Sequence, residues 1–181
     1  MSEEWIVIRK ALPEDAHGIA KVHIDTWRST YTGIIPNDYL AKLSYERAEN
    51  VWRERISTHE PLGVIFVAAI PNGRIVGFVT GGAERTGEHS YDGEIYAIYV
   101  FKEFQRRGVG RRLTSAICQQ LVQEGFHSLI IWVLRENPSR SFYEGLGGEK
   151  VAEQEIEIGG VSLPEVGYGW EDIRQLFEMK M

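Results

Sequence analysis

Cysteine is almost missing: Cys118 stands alone among 181 residues, which excludes an intramolecular disulfide framework and any cysteine-rich metal site. Its neighbours Ile117 and Leu121 share a helical periodicity with it, so a small buried residue is expected there and not a nucleophile. No apolar run approaches the roughly 20 residues that cross a bilayer, and Met1 to Glu4 is acidic where a secretion signal carries basic residues. No membrane partner and a cytoplasmic location are therefore expected. Positive charge is also scarce, with 20 Lys+Arg against 26 Asp+Glu and a formal net charge of −6. A general nucleic-acid binder normally advertises a basic face, so nucleic acid is not an expected partner. The histidines at 17, 23, 59, 89 and 127 show no close ligand pairing, and no metal is expected. Repeats, low-complexity tracts and linkers are lacking too, so residues 1–181 read as one globular domain.

What is present is a regular alternation of elements. Trp5 to Arg9 reads as a strand, and Pro13-Glu14-Asp15 opens a helix with proline at its first position and acids in its first turn. Ala16, Ile19, Ala20, His23, Trp27 and Tyr31 then recur at helical spacing, until Gly33-Ile34-Ile35-Pro36 breaks the pattern. Tyr45 to Thr58 resumes it, with Val51, Trp52 and Ile56 as buried candidates and with Pro61 and Gly63 as the stop. Val64 to Ile70 and Ile75 to Thr80 are strands joined at Asn72-Gly73, a strong hairpin signal. Gly81 to Asp92 reads as a polar loop before a central strand, Gly93 to Phe101. Val109 to Gly125 places Val109, Leu113, Ala116, Ile117 and Leu121 on one helical face. Leu129 to Leu134 is apolar throughout, as befits a strand covered on both sides. Asn137-Pro138 starts a helix through Phe142, Tyr143 and Leu146 that Gly147-Gly148 closes. Val151 to Ile158 and Val161 to Trp170 form a hairpin about Gly159-Gly160, with Pro164 expected at an edge or bulge.

The few basic residues gather at one turn. Residues 105 to 110 read Gln105-Arg106-Arg107-Gly108-Val109-Gly110, between a strand and a helix. Glycines let a backbone approach a ligand closely, and the helix aims its unpaired N–H groups and positive dipole end at an anion. Lys102, Arg106, Arg107, Arg111 and Arg112 surround the turn, with Glu103 the only acid. The Gly-Lys-Ser/Thr ending of nucleotide hydrolases is missing, and Leu113 stands where a dinucleotide fingerprint needs its third glycine.

The stretch from Glu94 to Leu113 resembles the acyl-CoA-binding motif of the GCN5-related N-acetyltransferases, whose signature is Gln/Arg-x-x-Gly-x-Gly/Ala. Trp132 to Gly148, with Asn137 and Tyr143, resembles the second half of that family's cofactor site, in family order. The resemblance is strong from 93 to 148 and weak elsewhere. It implies an α/β domain of the acyl-CoA N-acyltransferase fold: a mixed, strongly twisted sheet of about seven strands with helices on both faces. It also implies transfer of an acetyl group from acetyl-CoA to a primary amine, taken here as that of a small molecule, and a homodimer.

By the same resemblance the backbone of Ile98, Tyr99 and Val100 pairs with pantetheine. Arg106, Arg107, Gly108, Val109, Gly110 and Arg111 hold the pyrophosphate, and Gln105 and Asn137 contact the cofactor. Tyr143 protonates the leaving thiolate. A phenol near pKa 10 and a thiol near 8.5 make that transfer uphill by only about 2 kcal/mol. Glu94 attracts the acceptor amine and relays its proton through water, since a carboxylate near 4.3 is mismatched to an ammonium near 10 by roughly 8 kcal/mol. Alternation along the strand puts Glu94 on one face with Tyr96, Ile98 and Val100. A kink near Val100 frees an amide to polarise the thioester carbonyl. Trp27 and Tyr31, with His23, wall the acceptor pocket, and Tyr168 and Trp170 reach toward the same cleft. With Cys118 structural and no serine in a nucleophile elbow, direct attack in a ternary complex is expected. Two other readings stand beside this one. A protein N-terminal or lysine acetyltransferase needs an open, extended acceptor groove, and a non-catalytic acyl-CoA sensor does not need Glu94 or Tyr143.

Overall fold

Strand-forming runs from the start, middle and end of the chain assemble into one sheet. The computed structural model describes residues 5–58 and 63–178. Its strands are β1 (Val7–Lys10), β2 (Val64–Ala69), β3 (Ile75–Ala83), β4 (Gly93–Val100), β5 (Leu129–Leu134), β6 (Glu149–Ile158) and β7 (Val161–Trp170), in the order β1-β2-β3-β4-β5-β7-β6. Neighbours run antiparallel except β4 and β5. A parallel pair needs a crossover, and helix α4 (Val109–Gln123) supplies it. Gly159 and Gly160 both have positive φ, 63° and 79°, as a type I′ hairpin turn demands.

Two layers of helix enclose the sheet. Helix α1 (Ala16–Thr30) follows a single 3₁₀ turn at Pro13–Asp15, and α2 (Asn37–Ala41) and α3 (Tyr45–Thr58) come next. Trp52 of α3 and His23 of α1 meet Phe78 edge-on, at centroid distances of 5.0 and 6.4 Å. A Cβ added to the adjacent Gly77 would lie 3.3 Å from Leu113 of α4, and alternate residues point to opposite faces. Helices α1 and α3 therefore cover one face and α4 the other. Val51 is exposed, because it lies about 100° around α3 from the Trp52 and Ile56 stripe. Pro61 lies outside the described residues. Helix α5 (Arg140–Gly145) starts three residues later than Asn137, and α6 (Gln175–Glu178) has no counterpart in the sequence reading. Among the described residues, no helix is long and apolar enough to cross a membrane.

Strand β3 continues through Gly81, Gly82 and Ala83, where a loop was expected. Both glycines are points of close backbone approach: an added Cβ would lie 2.5 Å from Glu94 O at Gly81 and 2.8 Å from Gly63 Cα at Gly82. Pro164 sits beyond the last β5 partner, where Arg135 N donates to its carbonyl at 2.8 Å, and the irregularity of the last hairpin lies between Lys150 and Ala152.

Two departures from regular pairing shape the middle of the sheet. β4 and β5 pair only at Gly93–Leu129, Glu94–Ile130 and Ile95–Ile131. Beyond that, β4 stays with β3 as far as Val100 and β5 with β7 as far as Leu134, so the two strands part like a V. The second departure is a bulge: Thr80 faces Ala97 while Gly81 faces Ile95, which leaves Tyr96 as an extra residue in β4.

Candidate active site

The V between β4 and β5 opens a cavity of about 610 Å³. Phe101 N donates to Val76 O at 3.0 Å, and backbone groups alternate sides along an antiparallel pair. Ile98 and Val100 accordingly direct their amides into the V, whereas Tyr99, one of the three backbone positions expected there, turns its amide toward β3. The bulge at Tyr96, and not a kink near Val100, is where β4 bends. It also changes which side chains share a face. Arg85 pairs with Glu94 and lies 4.7 Å over the Tyr96 ring, and Ala97 and Tyr99 line the same hollow as Arg85 and Tyr96. Val100 instead lies beside Leu113 of α4, both within 3.3 Å of a Cβ on Gly77. One inserted residue thus shifts Ile98 and Val100 off the face of Glu94.

At the wide end of the V lies the glycine turn. Gly108 has φ 77° and Arg106 has φ 61°, the only positive φ of a non-glycine among the described residues. An added Cβ at Gly108 would meet no atom within 4 Å, so glycine serves the backbone conformation there and not packing. Arg112 N donates to Gly108 O at 3.0 Å, so the preceding amides of Val109, Gly110 and Arg111 have no intrahelical acceptor. Gln105, Arg106, Gly108, Gly110 and Arg111 line the cavity. Arg107 does not, being placed 5.5 Å over the Phe104 ring, and the Val109 side chain is buried in the core. Gln105 holds its own strand, donating from Nε2 to Val100 O at 2.9 Å.

Tyr143 of α5 lines the cavity and is buried. Burial pushes its phenol above the ordinary 10, with Tyr99 adding to the effect, so it is a neutral O–H donor throughout the physiological range. Asn137 also lines the cavity, yet both of its polar ends are engaged within the chain. Its Nδ2 donates to Tyr31 Oη at 3.1 Å, and its Oδ1 accepts from Ser139 N at 2.8 Å. Tyr168 and Trp170 do not reach the cleft. Tyr168 Oη donates to Glu144 at 2.6 Å and Trp170 Nε1 to Leu146 O at 3.0 Å, which ties both to the α5 segment.

On the α1 side, Glu94 is 1% exposed. Arg85 Nε lies 3.1 Å from each of its carboxylate oxygens, Arg85 Nη2 donates to Oε1, and the Arg85 amide donates to Oε2 at 3.2 Å. Arg85 went unremarked in the sequence because it belongs to a loop without periodicity, nine positions before its partner. A second hollow of about 200 Å³ lies here, lined by His23, Trp27, Trp52, Arg55, Arg85 and Tyr96 among others. It shares Tyr96, Ala97 and Tyr99 with the first cavity. Tyr31 lines the first and Trp27 the second. Trp52 Nε1 donates to His23 Nδ1 at 3.3 Å, leaving the imidazole proton on Nε2. Burial lowers the His23 pKa from 6.5 to about 4, helped by Arg55. The sole cysteine, Cys118, is fully buried, and burial pushes its thiol up.

Comparison with known proteins places these features. A family model described as "FR47-like protein" matches residues 76–156. The chain is 45% identical over 171 residues to "Uncharacterized N-acetyltransferase YuaI" of Bacillus subtilis (strain 168), covering 94% of this chain and 96% of that protein. It is 30% identical over 176 residues to "Probable N-acetyltransferase Rv2775" of Mycobacterium tuberculosis, covering 93% and 95%. Among solved structures, paia N-acetyltransferase from Thermoplasma acidophilum, in complex with coenzyme A, has a TM-score of 0.67 at 22% identity, covering 89% of this chain and 98% of that one.

Proposed function

Since this chain belongs to the GCN5-related N-acetyltransferase family, we propose that acetyl-CoA is its acetyl donor and that its acceptor is the primary amine of a small molecule, attacked directly in a ternary complex. The observation that carries the acceptor's size is the closure of the cleft. Leu134, Tyr31, Ile35 and Leu40 form a separate apolar cluster against which Ile158 and Leu163 of the β6–β7 hairpin pack. A Cβ on Gly159 at the hairpin tip would lie 2.9 Å from Tyr39 of α2. The hairpin thus bridges to α2 where an extended peptide would need an open groove, and the hollow beyond β4 is below the roughly 300–1,000 Å³ of sites for drug-sized ligands.

The large cavity fits an acyl-CoA. Free amides of Val109, Gly110 and Arg111 meet the diphosphate, Arg106 and Arg111 add charge, and the amide of Val100 pairs with the pantetheine arm. The thioester carbonyl supplies the electrophile. Ile98 N–H, the first amide past the bulge that faces the V, donates to its oxygen as negative charge develops. The acceptor nitrogen forms its bond to the carbonyl carbon, the carbon–sulfur bond breaks, and Tyr143 Oη gives its proton to the departing sulfur. The single Arg85 Nε–H is shared between the two Glu94 oxygens, so three donors meet about four lone-pair sites, and the one left over holds a water that takes the proton shed by the amine.

Replacing Tyr143 with Phe keeps the ring's packing and removes the proton. Turnover is expected to fall about 10²- to 10⁴-fold, with the KM for acetyl-CoA changed little. A panel of primary amines and peptides, followed by release of free thiol, tests the acceptor class. A thiol burst without any acceptor would point to an acyl-enzyme, and preference for peptides would overturn the small-molecule reading.

A further inference from the structure

The hollow beyond β4 has a chemical character that the reaction alone does not require. Its walls are aromatic, from His23, Trp27, Trp52, Tyr96 and Tyr99, and its polar groups are almost all donors. Arg55 lies 5.0 Å over the Trp52 ring and Arg85 4.7 Å over the Tyr96 ring. Stacking on a ring face does not satisfy the N–H donors of a guanidinium. Arg55 has no carboxylate within ion-pair distance among the described residues, and Arg85, 53% exposed at its side chain, keeps Nη1 unbonded after binding Glu94. His23 presents Nε2–H as a neutral imidazole, and the buried Trp27 indole N–H, directed toward the Tyr99 hydroxyl, makes no hydrogen bond of ordinary geometry. Among the described residues, Glu94 is the one carboxylate paired with these guanidiniums, and it lies behind Arg85. Glu165, whose charge reaches Arg85, is held by Gln154 Nε2 at 2.6 Å; Glu84, whose charge reaches Tyr96, is held by Thr86 and Gly87; neither lines the hollow.

We propose that this hollow is an anion subsite and that the acceptor is an amino carboxylate, a compact molecule bearing a primary amine and a carboxylate, whose acid end rests between Arg55 and Arg85. The reading deepens the proposed function and rests on it. Two guanidiniums against one carboxylate leave the site net positive, which disfavours a polyamine: a second cation there would be desolvated beside like charge. A carboxylate meets planar forks that bind it bidentately, and its apolar remainder meets the rings. Because Tyr96, Ala97 and Tyr99 wall both cavities, an acid end held in the hollow leaves the amine at the bend of β4, beside Ile98. The pairing of Glu94 with Arg85 then has a role: it orients Arg85 so that Nη1 faces the acceptor.

Two measurements test this, one with turnover and one without. In the first, kcat/KM is compared for amino acids with one to three carbons between amine and carboxylate, for their carboxamides, and for spermidine. The carboxylates are expected to be preferred over their amides about 10- to 100-fold, a preference that Arg55→Gln collapses and Arg55→Lys partly restores. In the second, benzoate and benzamide are titrated against the full chain by calorimetry. Benzoate is expected to bind the tighter, by a margin that Arg55→Gln removes. Equal use of carboxylates and amides, a preference for spermidine, or equal binding of benzoate and benzamide would overturn the proposal. If no amine is acetylated while benzoate still binds through Arg55, the anion subsite stands and the small-amine reading fails.

Discussion

His23 shows how one side chain can set an acid limit on this fold. Its ring stacks on Tyr99 at 5.6 Å and meets Trp27, Trp52 and Phe78 edge-on, a setting with no place for an imidazolium. With its pKa lowered from 6.5 to about 4, the folded chain refuses a proton that the unfolded chain accepts. Stability is therefore whole above about pH 6.5 and falls as pH drops toward 4, by up to about 3 kcal/mol. Other groups act elsewhere or in the opposite sense. Burial opposes ionisation of Asp15 and Asp92, yet Arg9 holds the first and the Ser128 and His127 groups hold the second below the ordinary 3.8. Those two lose their contribution at lower pH than His23. Burial raises Glu165 from 4.5, so its protonation on acidification favours the folded chain. In His23→Asn, where an amide oxygen replaces Nδ1 as acceptor for Trp52, the difference between urea midpoints at pH 7 and pH 4.5 is expected to shrink. An undiminished difference would remove His23 from the account.

At the scale of elements, the glycines separate packing from function. Gly81 and Gly108 both stand beside the site, but an added methyl meets different surroundings. At Gly81 it lies 2.5 Å from Glu94 O, against the backbone of the bulged strand, and at Gly108 it meets nothing while φ is 77°. Gly81→Ala is expected to cost about 1–3 kcal/mol by overpacking. Gly108→Ala is expected to cost about 1 kcal/mol of strain and to weaken acetyl-CoA binding by far more than that stability loss implies. Urea unfolding and a coenzyme titration on each variant check this, and unaltered coenzyme affinity in Gly108→Ala would show that the helix start is not the diphosphate site. The same contrast explains what could be read from the chain alone. The Tyr45–Thr58 helix, the Leu129–Leu134 strand and the hairpin at Gly159-Gly160 follow from local period and turn residues, and the structure has the first two at those bounds and the hairpin with its first strand begun two residues earlier, at Glu149. The bulge at Tyr96, the V between β4 and β5, and the pairing of Arg85 with Glu94 arise from strands distant in sequence. No spacing within Gly93 to Val100 encodes them, so the face of Glu94 was misassigned by one step. Gly81 and Gly82 read as loop for the same reason, because their neighbours come from Gly63 and β4.

For the molecule as a whole, the formal charge of −6 opposes the approach of a polyanionic coenzyme, and the basic turn must overcome it at short range. Salt screens both. The Debye length is about 30 Å at 0.01 M salt and about 10 Å at 0.1 M, and because the arginines of the turn lie against the ligand while the acidic surface is distant, their attraction is the larger of the two at either salt. Arg106 and Arg111 line the cavity, whereas Arg107 is turned over Phe104. Arg111→Ala should therefore weaken coenzyme A more than a pantetheine-only analogue, and Arg107→Ala should affect the two alike. Contact charges also leave a signature in the salt dependence. In the native chain, coenzyme A affinity is expected to decline as salt rises from 0.01 to 0.1 M in the Debye regime above, because the close arginines lose strength. With Arg106 and Arg111 both replaced by Ala, the net repulsion is what remains, and the same rise in salt should improve binding. Titrations across that range settle the sign for each chain. A decline of equal slope in both would mean that charges other than these two arginines hold the coenzyme.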